Sequence, residues 1–540
     1  MYSVESKHPT PTQRTVYIAL SHIVTQTGAW LILLITSMIP FQASSQAGTL
    51  DTSFGTGGKV FTHFEGIRAG YSSVIQLESG EILATGSAQR SVSRKYDIIL
   101  AKYNSNGNLV TDFGVKGKVL TTFGESSSAG PTLIQGDGKI LTTGHYSYDG
   151  IGLVRHLKNG KLDTSFGDSG IVVTEIMGFY GETFGSLAFQ SDGKIVAAGY
   201  GSRSGNDSFH TIMARYHPDG SLDSSFGTNG ILIGGSGRTY NLYVQEDDKI
   251  LLAGQVSKGT ASNRFRFSVL RYNSDGSKDA NFGSNGKVYI PITDFSEAYS
   301  VTVQGDGKII LVGHCNSTVH TPGSDFALTR LHSDGTLDTD FGSNGKLTTA
   351  FPGPGKAFNV KVQADGKIVV LGQARADTGN YHIALSRYHS NGSLDTSFGG
   401  KGTTIVPTKF YSTAGSLIFQ NDGKILVAGY ADTSGSNNTK VVILRFLSEG
   451  TVGEEELCCK KTAMRIYPNP TTGNAIIQVS TLFQNGQLSL YNPYGQIIMT
   501  DKLYGKEYSF VNKSLPNGIY FVQIDGKNGN YVTQRLFIRN

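Results

Sequence analysis

The sequence predicts an all-β chain, a seven-bladed β-propeller followed by a small Ig-like β-sandwich. Three observations carry this prediction: a unit of four short strands that recurs seven times, a high glycine content, and a change of pattern near the C-terminus. Gly supplies 69 of the 540 residues without a Gly-X-Y period, which indicates many tight turns. Tyr and Phe, at 26 and 28 residues, favour strands.

Three phrases recur seven times, in the same order, between residues 48 and 450. The first phrase is Leu-Asp-x-Ser-Phe-Gly, the second is Gln-x-Asp-Gly-Lys-Ile, and the third is Arg-Tyr-x-x-Asp/Asn-Gly. The aromatic residues of the first phrase are Phe54, Phe113, Phe166, Phe226, Phe282, Phe341 and Phe398. Ordered copies at this spacing predict one repeated structural unit.

Each unit has the pattern of four strands, which in the fifth unit are residues 286–292, 299–304, 308–314 and 326–331. An Asp-Gly pair between the second and third strands supplies the positive φ of a tight hairpin turn. The third strand is apolar on both faces and must be covered on both sides, which blades around an axis achieve. A linear β-solenoid is the alternative, although its repeats usually hold fewer strands. The sequence leaves open which strand begins a blade.

Residues 50–55 match residues 162–167 and 394–399 in every position, as Leu-Asp-Thr-Ser-Phe-Gly. With the other copies, they make residues 48–450 resemble the delta-60 repeat family. The resemblance implies a repeat-built, propeller-like domain, and it implies no reaction.

Positions that are the same in every repeat are predicted to be architectural, because a functional site needs only one copy. We expect the repeated Phe side chains to fill the gaps between blades. We also expect the repeated Arg to pair with the Asp of the Leu-Asp phrase, for example Arg387 with Asp395.

Residues 1–45 are predicted to be a signal peptide. Residues 15–50 contain no Asp, Glu, Lys or Arg, and residues 30–41 include an apolar run that suits a signal-peptide core. Small residues before the junction place cleavage between Ser45 and Gln46. An uncleaved membrane anchor is the alternative. The last cation lies far upstream of the apolar run, which leaves a later start codon open.

After residue 450 the repeat pattern stops, and residues 451–463 are predicted to be a linker. Residues 464–540 contain several short alternating strands, as a small β-sandwich does. The turn and aromatic residues that mark this region are Tyr467, Pro468, Asn469, Pro470, Gly473, Gly495, Gly518 and Tyr520.

These C-terminal phrases resemble the type A sorting domain of the type IX secretion system. The resemblance implies export across both membranes and contact between residues 464–540 and the secretion machinery. The expected location is extracellular or on the outer-membrane surface, with membrane contact only through surface attachment. Whether the domain is removed after export is left open, and an ordinary adhesive sandwich domain is the alternative.

Charge and cysteine content exclude several other classes of protein. The net charge is +5 without a basic stripe, so no nucleic-acid partner is predicted. Three Cys are too few for a disulfide framework, and no Cys/His spacing suggests zinc. The Asp-Gly turns lack the ligand order of an EF-hand. We therefore predict no metal and no cofactor, with calcium as the weaker alternative.

Positions that differ between the repeats are the candidate functional ones. The loops between the third and fourth strands vary most and are rich in Ser, Asn, Gly, Arg and Tyr, as binding loops often are. In a propeller these loops all emerge on one face. We predict a ligand-binding ring at their base: Ser87, His145, Tyr200, Gln255, His314, Gln373 and Tyr430. The alternative is that these loops merely tolerate sequence drift.

The chain contains no GxSxG, HExxH, P-loop or dinucleotide-binding motif. The sequence leaves open whether the protein is an enzyme and favours one that is not. The sequence favours a secreted or surface binding module for a glycan or a surface protein. A passive structural protein is the second hypothesis, and a propeller hydrolase or lyase with an axial site is the third.

Overall fold

The computed structural model is all-β, and its 35 strands are numbered here β1 to β35 in chain order. The predicted signal peptide, residues 1–45, and the predicted linker, residues 451–463, lie outside the described residues. The structure describes residues 46–64, 68–90, 95–122, 127–146, 150–203, 209–257, 265–316, 323–376, 379–435, 439–449, 464–467, 471, 474–479, 483, 485–492, 496–511, 515–516, 518–525 and 531–538.

Five separate four-stranded antiparallel sheets fill the middle of the repeat region. The first two are β6–β9 (Ser127–Ile134, Ile140–Tyr146, Ile151–His156, Ile171–Thr174) and β10–β13 (Phe179–Phe189, Ile195–Arg203, Phe209–Tyr216, Ile231–Ser236). The next two are β14–β17 (Arg238–Val244, Ile250–Ser257, Phe265–Tyr272, Lys287–Ile290) and β18–β21 (Ser296–Val303, Ile309–Asn316, Ser324–Leu331, Lys346–Thr349). The fifth is β22–β25 (Gly355–Val362, Ile368–Arg375, Tyr381–Tyr388, Thr403–Val406).

The two ends of the repeat region share one eight-stranded sheet. Its strands are β1–β5 (Lys59–Thr62, Arg68–Gln76, Ile82–Gln89, Tyr96–Tyr103, Lys118–Thr121) and β26–β28 (Ser412–Phe419, Ile425–Asp432, Thr439–Phe446). Strand β1 pairs antiparallel with β28, so the first strand of the chain completes the last group of strands. The strand phase that the sequence left open is thereby fixed: each sheet begins with the strand that precedes the Gln phrase.

Each first strand contains a β-bulge and contacts the first strand of the neighbouring sheet. Side chains beside the bulges bond across this gap. The amide N–H of Leu242 donates to Ser186 Oγ at 2.8 Å, and that of Val301 donates to Asn241 Oδ1 at 3.1 Å. Between β2 and β26, the N–H of Val74 donates to Ser416 Oγ at 3.0 Å. Many four-stranded sheets linked through their first strands are consistent with a β-propeller.

The repeated Arg, Asp and Phe form a latch that joins neighbouring sheets, and we call it the Arg–Asp latch. In six repeats the Arg Nε lies 2.7–2.8 Å from the Asp carboxylate: Arg155–Asp163, Arg215–Asp223, Arg271–Asp279, Arg330–Asp338, Arg387–Asp395 and Arg445–Asp51. Each guanidinium also covers the Phe ring of its repeat at 4.3–4.8 Å. The predicted pairing is therefore present.

The same Arg side chains reach the next sheet. Arg155 Nη1 donates to the carbonyl of Pro218 at 2.7 Å, and Arg445 Nη1 donates to that of Ser105 at 2.6 Å. The second bond connects the last repeat to the first. The Phe rings fill the remaining gap, as predicted: a Cβ on Gly335 would lie 2.9 Å from the ring of Phe282, so the close contact between the sheets requires glycine there.

The C-terminal strands form two antiparallel sheets. They are β29 Met464–Tyr467, β30 Asn474–Val479, β31 Gln487–Tyr491, β32 Ile497–Lys502, β33 Glu507–Val511, β34 Gly518–Asp525 and β35 Tyr531–Ile538. One sheet has the order β29-β30-β33 and the other β32-β31-β34-β35. Side chains from both, such as Ile477 and Val522, belong to one buried core.

Candidate functional site

The seven candidate residues occupy equivalent register positions near the ends of the second strands. Each lies opposite a residue of the first strand that is always the same number of positions upstream, as Glu297 is from His314. The first-strand partners, in chain order, are Gly70, Ser128, Thr183, Arg238, Glu297, Lys356 and Thr413. The side chains of His145 and Thr183 lie outside the described part of the structure. We call these paired positions the loop-face level.

An open cavity of about 460 Å³ lies at the loop-face level where the first, second and last repeats meet. Its volume falls within the range of small-molecule sites. Ser87 and Tyr430 of the predicted ring line it. The full lining is Arg68, Ala69, Gly70, Tyr71, Ser72, Ser87, Tyr96, Ser128, Tyr411, Tyr430 and Thr439. We call it the tyrosine-lined cavity.

The shape of this cavity depends on a glycine. A Cβ on Gly70 would lie 2.7 Å from Cδ1 of Tyr430, so Tyr430 can lean over β2 only because Gly70 has no side chain. The Tyr411 ring lies 6.0 Å from that of Tyr430, and its hydroxyl donates to Gln373 Oε1 at 3.3 Å. Ser87 Oγ accepts from the amide N–H of Ala129 at 2.7 Å. Three of the predicted residues are therefore near or at this cavity.

The opposite part of the loop-face level is filled by aromatic rings. Tyr240 stacks on Tyr299 at 4.6 Å, and Tyr299 stacks on His314 at 5.5 Å. Tyr200 meets Tyr240 edge-on at 5.6 Å, and Phe358 meets Tyr299 edge-on at 5.7 Å. Two more predicted residues, Tyr200 and His314, thus belong to one aromatic cluster that crosses four sheets.

The bulges explain why aromatic rings fill one part of the loop-face level and leave a cavity in another part. Tyr240, Tyr299 and Phe358 are the extra residues of three adjacent bulges. At the corresponding position β2 has Ser72 and β26 has Gly415. Small side chains at these positions leave space beside the first and last repeats, where the tyrosine-lined cavity lies.

Glu297 lies at the centre of the aromatic cluster as a buried carboxylate. Burial raises its pKa above the usual range, although the Tyr299 hydroxyl, 2.9 Å from Glu297 Oε2, opposes that effect. His314 Nε2 lies 3.7 Å from the same oxygen. Burial, with a smaller effect of Lys356, lowers the pKa of His314 to about 3. The imidazole is therefore neutral at pH 7, and the contact is not an ion pair.

Several buried polar atoms beside Glu297 have no hydrogen-bond partner among the described residues. They are Nδ1 of His314, the amide oxygen of Gln255, and Nε of Arg238. Such atoms are rare because burying them unpaired costs roughly 1–3 kcal/mol each. Arg238 does cover the Phe209 ring at 3.9 Å. The cluster therefore contains hydrogen-bonding capacity that the protein itself does not use.

Sequence reasoning identified the second-strand residues of this level but missed their first-strand partners. Arg238, Glu297 and Lys356 are charged, whereas Gly70 and Thr413 are not, so this position varies in chemistry as much as the predicted ring. The constant spacing from the predicted residues was a signal that could have found them.

The export signals fall mostly outside the described residues. Pro468, Asn469, Pro470, Gly473 and Gly495 lie outside them, as does Ser45. Tyr467 ends β29, and Gly518 begins β34. Tyr520 is buried in the core of the C-terminal sheets, and its hydroxyl donates to the carbonyl of Pro516 at 2.9 Å.

Gln46 follows the predicted cleavage site, and its side-chain amide donates to the carbonyl of Ser397 at 3.3 Å. Ala47, next in the chain, is buried. Within the described ranges, no three His, Cys, Asp or Glu side chains come together as metal ligands would. No helix of the described residues is long and apolar enough to cross a bilayer.

Two family models match the chain. The model described as Domain of unknown function (DUF5122) beta-propeller matches residues 135–166, 190–226, 245–282, 304–341, 363–398 and 420–452. The model described as Secretion system C-terminal sorting domain matches residues 465–539. These matches confirm the repeat family and the sorting domain that the sequence resembles. No curated protein sequence matches the chain significantly.

Solved structures that resemble the chain do so weakly. PorZ, a surface component of the type IX secretion system of Porphyromonas gingivalis, is 10% identical, with a TM-score of 0.35, over 88% of this chain and 59% of PorZ. This chain therefore spans less than two thirds of PorZ.

Two further structures match at similar levels. Virginiamycin B lyase from Staphylococcus aureus is 9% identical with a TM-score of 0.34, over 72% of this chain and 98% of the lyase. Sqt1 from Chaetomium thermophilum is 11% identical with a TM-score of 0.38, over 71% of this chain and 98% of Sqt1. At these levels the likenesses support neither an activity nor a ligand.

A C-terminal sorting domain of this family indicates export by the type IX secretion system to the cell surface or the extracellular space. Such a domain implies interaction with that machinery. The chain contains DUF5122 β-propeller repeats and a type IX secretion-system sorting domain.

Proposed function

We propose that the exported protein is a carbohydrate-binding propeller whose ligand occupies the tyrosine-lined cavity. The observation that carries the proposal is the cavity itself: Tyr96, Tyr411 and Tyr430 line it together with hydroxyl side chains. Tyrosine rings offer flat faces for sugar rings and hydroxyls for sugar oxygens, at a small cost in side-chain entropy. The proposal requires no cofactor and no metal.

The architecture that we propose around this cavity is a closed ring of seven blades. The eight-stranded sheet counts as two blades, since β2 and β28 are joined only by the pair Arg68–Thr439. The Arg445 bond to Ser105 and the pairing of β1 with β28 support closure. For the C-terminal region we propose an Ig-like sandwich, supported by the core that its two sheets share.

These contacts support the domain limits that we propose. We propose a signal peptide of residues 1–45, a propeller of residues 48–450, a linker of residues 451–463 and a sorting domain of residues 464–540. The first limit is supported by Ala47, whose carbonyl accepts from the amide N–H of Gly399 at 2.7 Å. Residues that follow the proposed cleavage site thus already belong to the fold.

The test is thermal unfolding of the purified protein against a panel of oligosaccharides and polysaccharides. A ligand that binds only the native state raises the midpoint by mass action, so at least one sugar should shift it by several degrees. Tyr430→Ala should remove the shift. Tyr289→Ala is the matched control, because Tyr289 is half exposed on β17 and does not line the cavity.

Each other result points to a different function. A shift that survives Tyr430→Ala would place the ligand elsewhere on the loop-face level. No shift with any sugar would contradict carbohydrate binding and favour a surface protein partner or a passive structural role. Release of new reducing ends from a polysaccharide would indicate a hydrolase or lyase, and Glu297→Gln would then be the first variant to assay.

A further inference from the structure

We infer that the tyrosine-lined cavity selects sugars that carry a carboxylate, and that Arg68 binds this group. The inference rests on the proposed function, because it assigns a ligand class to the same cavity. It depends on the position of Arg68, on the charges of the cavity lining and on the chemistry of the remaining wall.

Arg68 is held at the cavity by backbone on both sides. It begins β2, where it pairs with Gln89 of β3 and with Thr439 of β28. The amide N–H of Ala69 donates to Thr439 Oγ1 at 3.1 Å, and the Thr439 hydroxyl donates to the carbonyl of Ala69 at the same distance. Groups fixed on strands are positioned more accurately than groups on loops.

The charge of Arg68 is not neutralised by a described residue. Arg68 is exposed and forms no ion pair with any side chain that the structure describes. By contrast, Arg90, at the end of β3, pairs with Asp97, and the six latch arginines pair with their own aspartates. Of the described residues that line the cavity, Arg68 alone is charged.

A carboxylate is the group that this arrangement fits. The guanidinium presents a planar fork that binds a carboxylate through two parallel hydrogen bonds. A neutral hydroxyl can accept from the guanidinium, but it forms weaker bonds than a carboxylate does. No described carboxylate lines the cavity to repel an anion or to compete for Arg68.

The rest of the wall favours a sugar over an acidic peptide as the source of the carboxylate. The rings of Tyr411 and Tyr430 supply the faces, and the hydroxyl of Ser128 can donate and accept. Ser72 Oγ donates to the carbonyl of Gly130 at 3.0 Å and can still accept. A sugar ring presents this combination of flat apolar face and ring hydroxyls. The inferred ligand class is therefore an oligosaccharide that contains uronic acid.

The experiment is calorimetric titration of the purified protein with galacturonic acid and glucuronic acid trimers and with their methyl esters. Acid and ester have the same sugar ring, and the ester replaces the negative charge with a neutral methyl ester. The acid should bind at least 10-fold more tightly, as expected of a charge-assisted hydrogen-bonded pair. Arg68→Gln should lower the affinity for the acid to that for the ester, and should leave binding of the ester unchanged.

Arg203→Gln is the matched control. Arg203 is an exposed arginine at the end of β11, on the same face but outside the cavity lining, so its loss should change neither affinity. The preference for the acid should also weaken as ionic strength rises, because an exposed pair is screened. An unchanged thermal midpoint will show that Arg68→Gln is folded.

Equal binding of acid and ester, both lost in Tyr430→Ala, would overturn the inference and leave the proposed function intact. Binding of neither trimer and of no other sugar would overturn both. Tighter binding of a glutamate-rich peptide than of either acid would also overturn the inference, since it would assign the cation to a peptide site.

Discussion

Two parts of the repeated sheets differ in how much they vary from one repeat to the next. The Arg–Asp latch has the same three side chains in six repeats, and its Nε-to-carboxylate distance stays at 2.7–2.8 Å. The loop-face level has a different pair in almost every repeat, from Gly70–Ser87 to Glu297–His314. Both lie on the same sheets, so the backbone geometry of the repeats does not explain why one set of residues is constant and the other varies.

The one irregular latch shows what the repetition preserves. In the first repeat Lys102 replaces the Arg and Val110 replaces the Asp. Lys102 Nζ instead lies 2.9 Å from Glu81, and it still lies 6.0 Å from the centre of the Phe113 ring. The residues have changed, but the cation, its carboxylate and the covered ring remain. The loop-face level shows no such compensation, which is why we place function there and architecture in the latch.

The largest effect on stability should come from removing a latch ring. Phe282→Ala leaves a cavity against Gly335 at a fully buried position. Such truncations cost roughly 3–5 kcal/mol, which urea unfolding can measure. Phe61→Ala is the control, because Phe61 on β1 is 43% exposed and should cost far less. Equal losses for the two variants would contradict the assignment of the latch as architecture.

Breaking the latch ion pair should have the next largest effect. Asp395→Asn removes the buried carboxylate of the Arg387 pair and leaves only the exposed Glu449, 3.9 Å from the guanidinium. The loss of one member of a buried pair costs about 3 kcal/mol. Asp422→Asn is the control, since Asp422 is exposed in a turn and its backbone contact with Lys424 is one that Asn can keep. If Asp395→Asn unfolds at the same urea concentration as the wild-type protein, the ion pair does not stabilise the contact between the sheets.

A smaller, pH-dependent effect should separate the loop-face level from the latch. The pKa of His314 is about 3 in the folded protein and about 6.5 when unfolded, so the unfolded chain takes up the proton first as pH falls. As the pH falls below about 6.5, this uptake lowers the free energy of unfolding, by about 2 kcal/mol at pH 5. His314→Phe should lose less stability than wild type between pH 7 and pH 5.

His63→Gln is the control for that measurement, because His63 is exposed and should leave the pH profile unchanged. Parallel profiles for wild type and His314→Phe would show that the imidazole takes up its proton as readily in the folded as in the unfolded protein, contrary to the buried environment described above.

The repeat architecture was predictable from sequence, whereas the cavity was not. Seven ordered copies of each phrase predict one unit, and an Asp and an Arg repeated together predict a pair such as Arg387–Asp395. The first-strand residues were not predicted because a β-bulge adds one residue to the strand and reverses the alternation of its faces. The period of the sequence therefore does not tell on which face Tyr299 or Glu297 lies. The cavity depends on a residue that has no side chain, Gly70, whose contact with Tyr430 arises between distant repeats.

The pairing of β1 with β28 has a consequence for the order of events during export. Asp51 and Arg445 form a latch although they are 394 residues apart in the chain. Contacts of such high sequence separation form slowly, because the entropy of closing the intervening chain is lost first. While the protein emerges, its N-terminal strand has no partner until the last repeat has followed. A chain stopped short of β28 would therefore present an unpaired edge at both ends, open to proteolysis and to association with other incomplete copies.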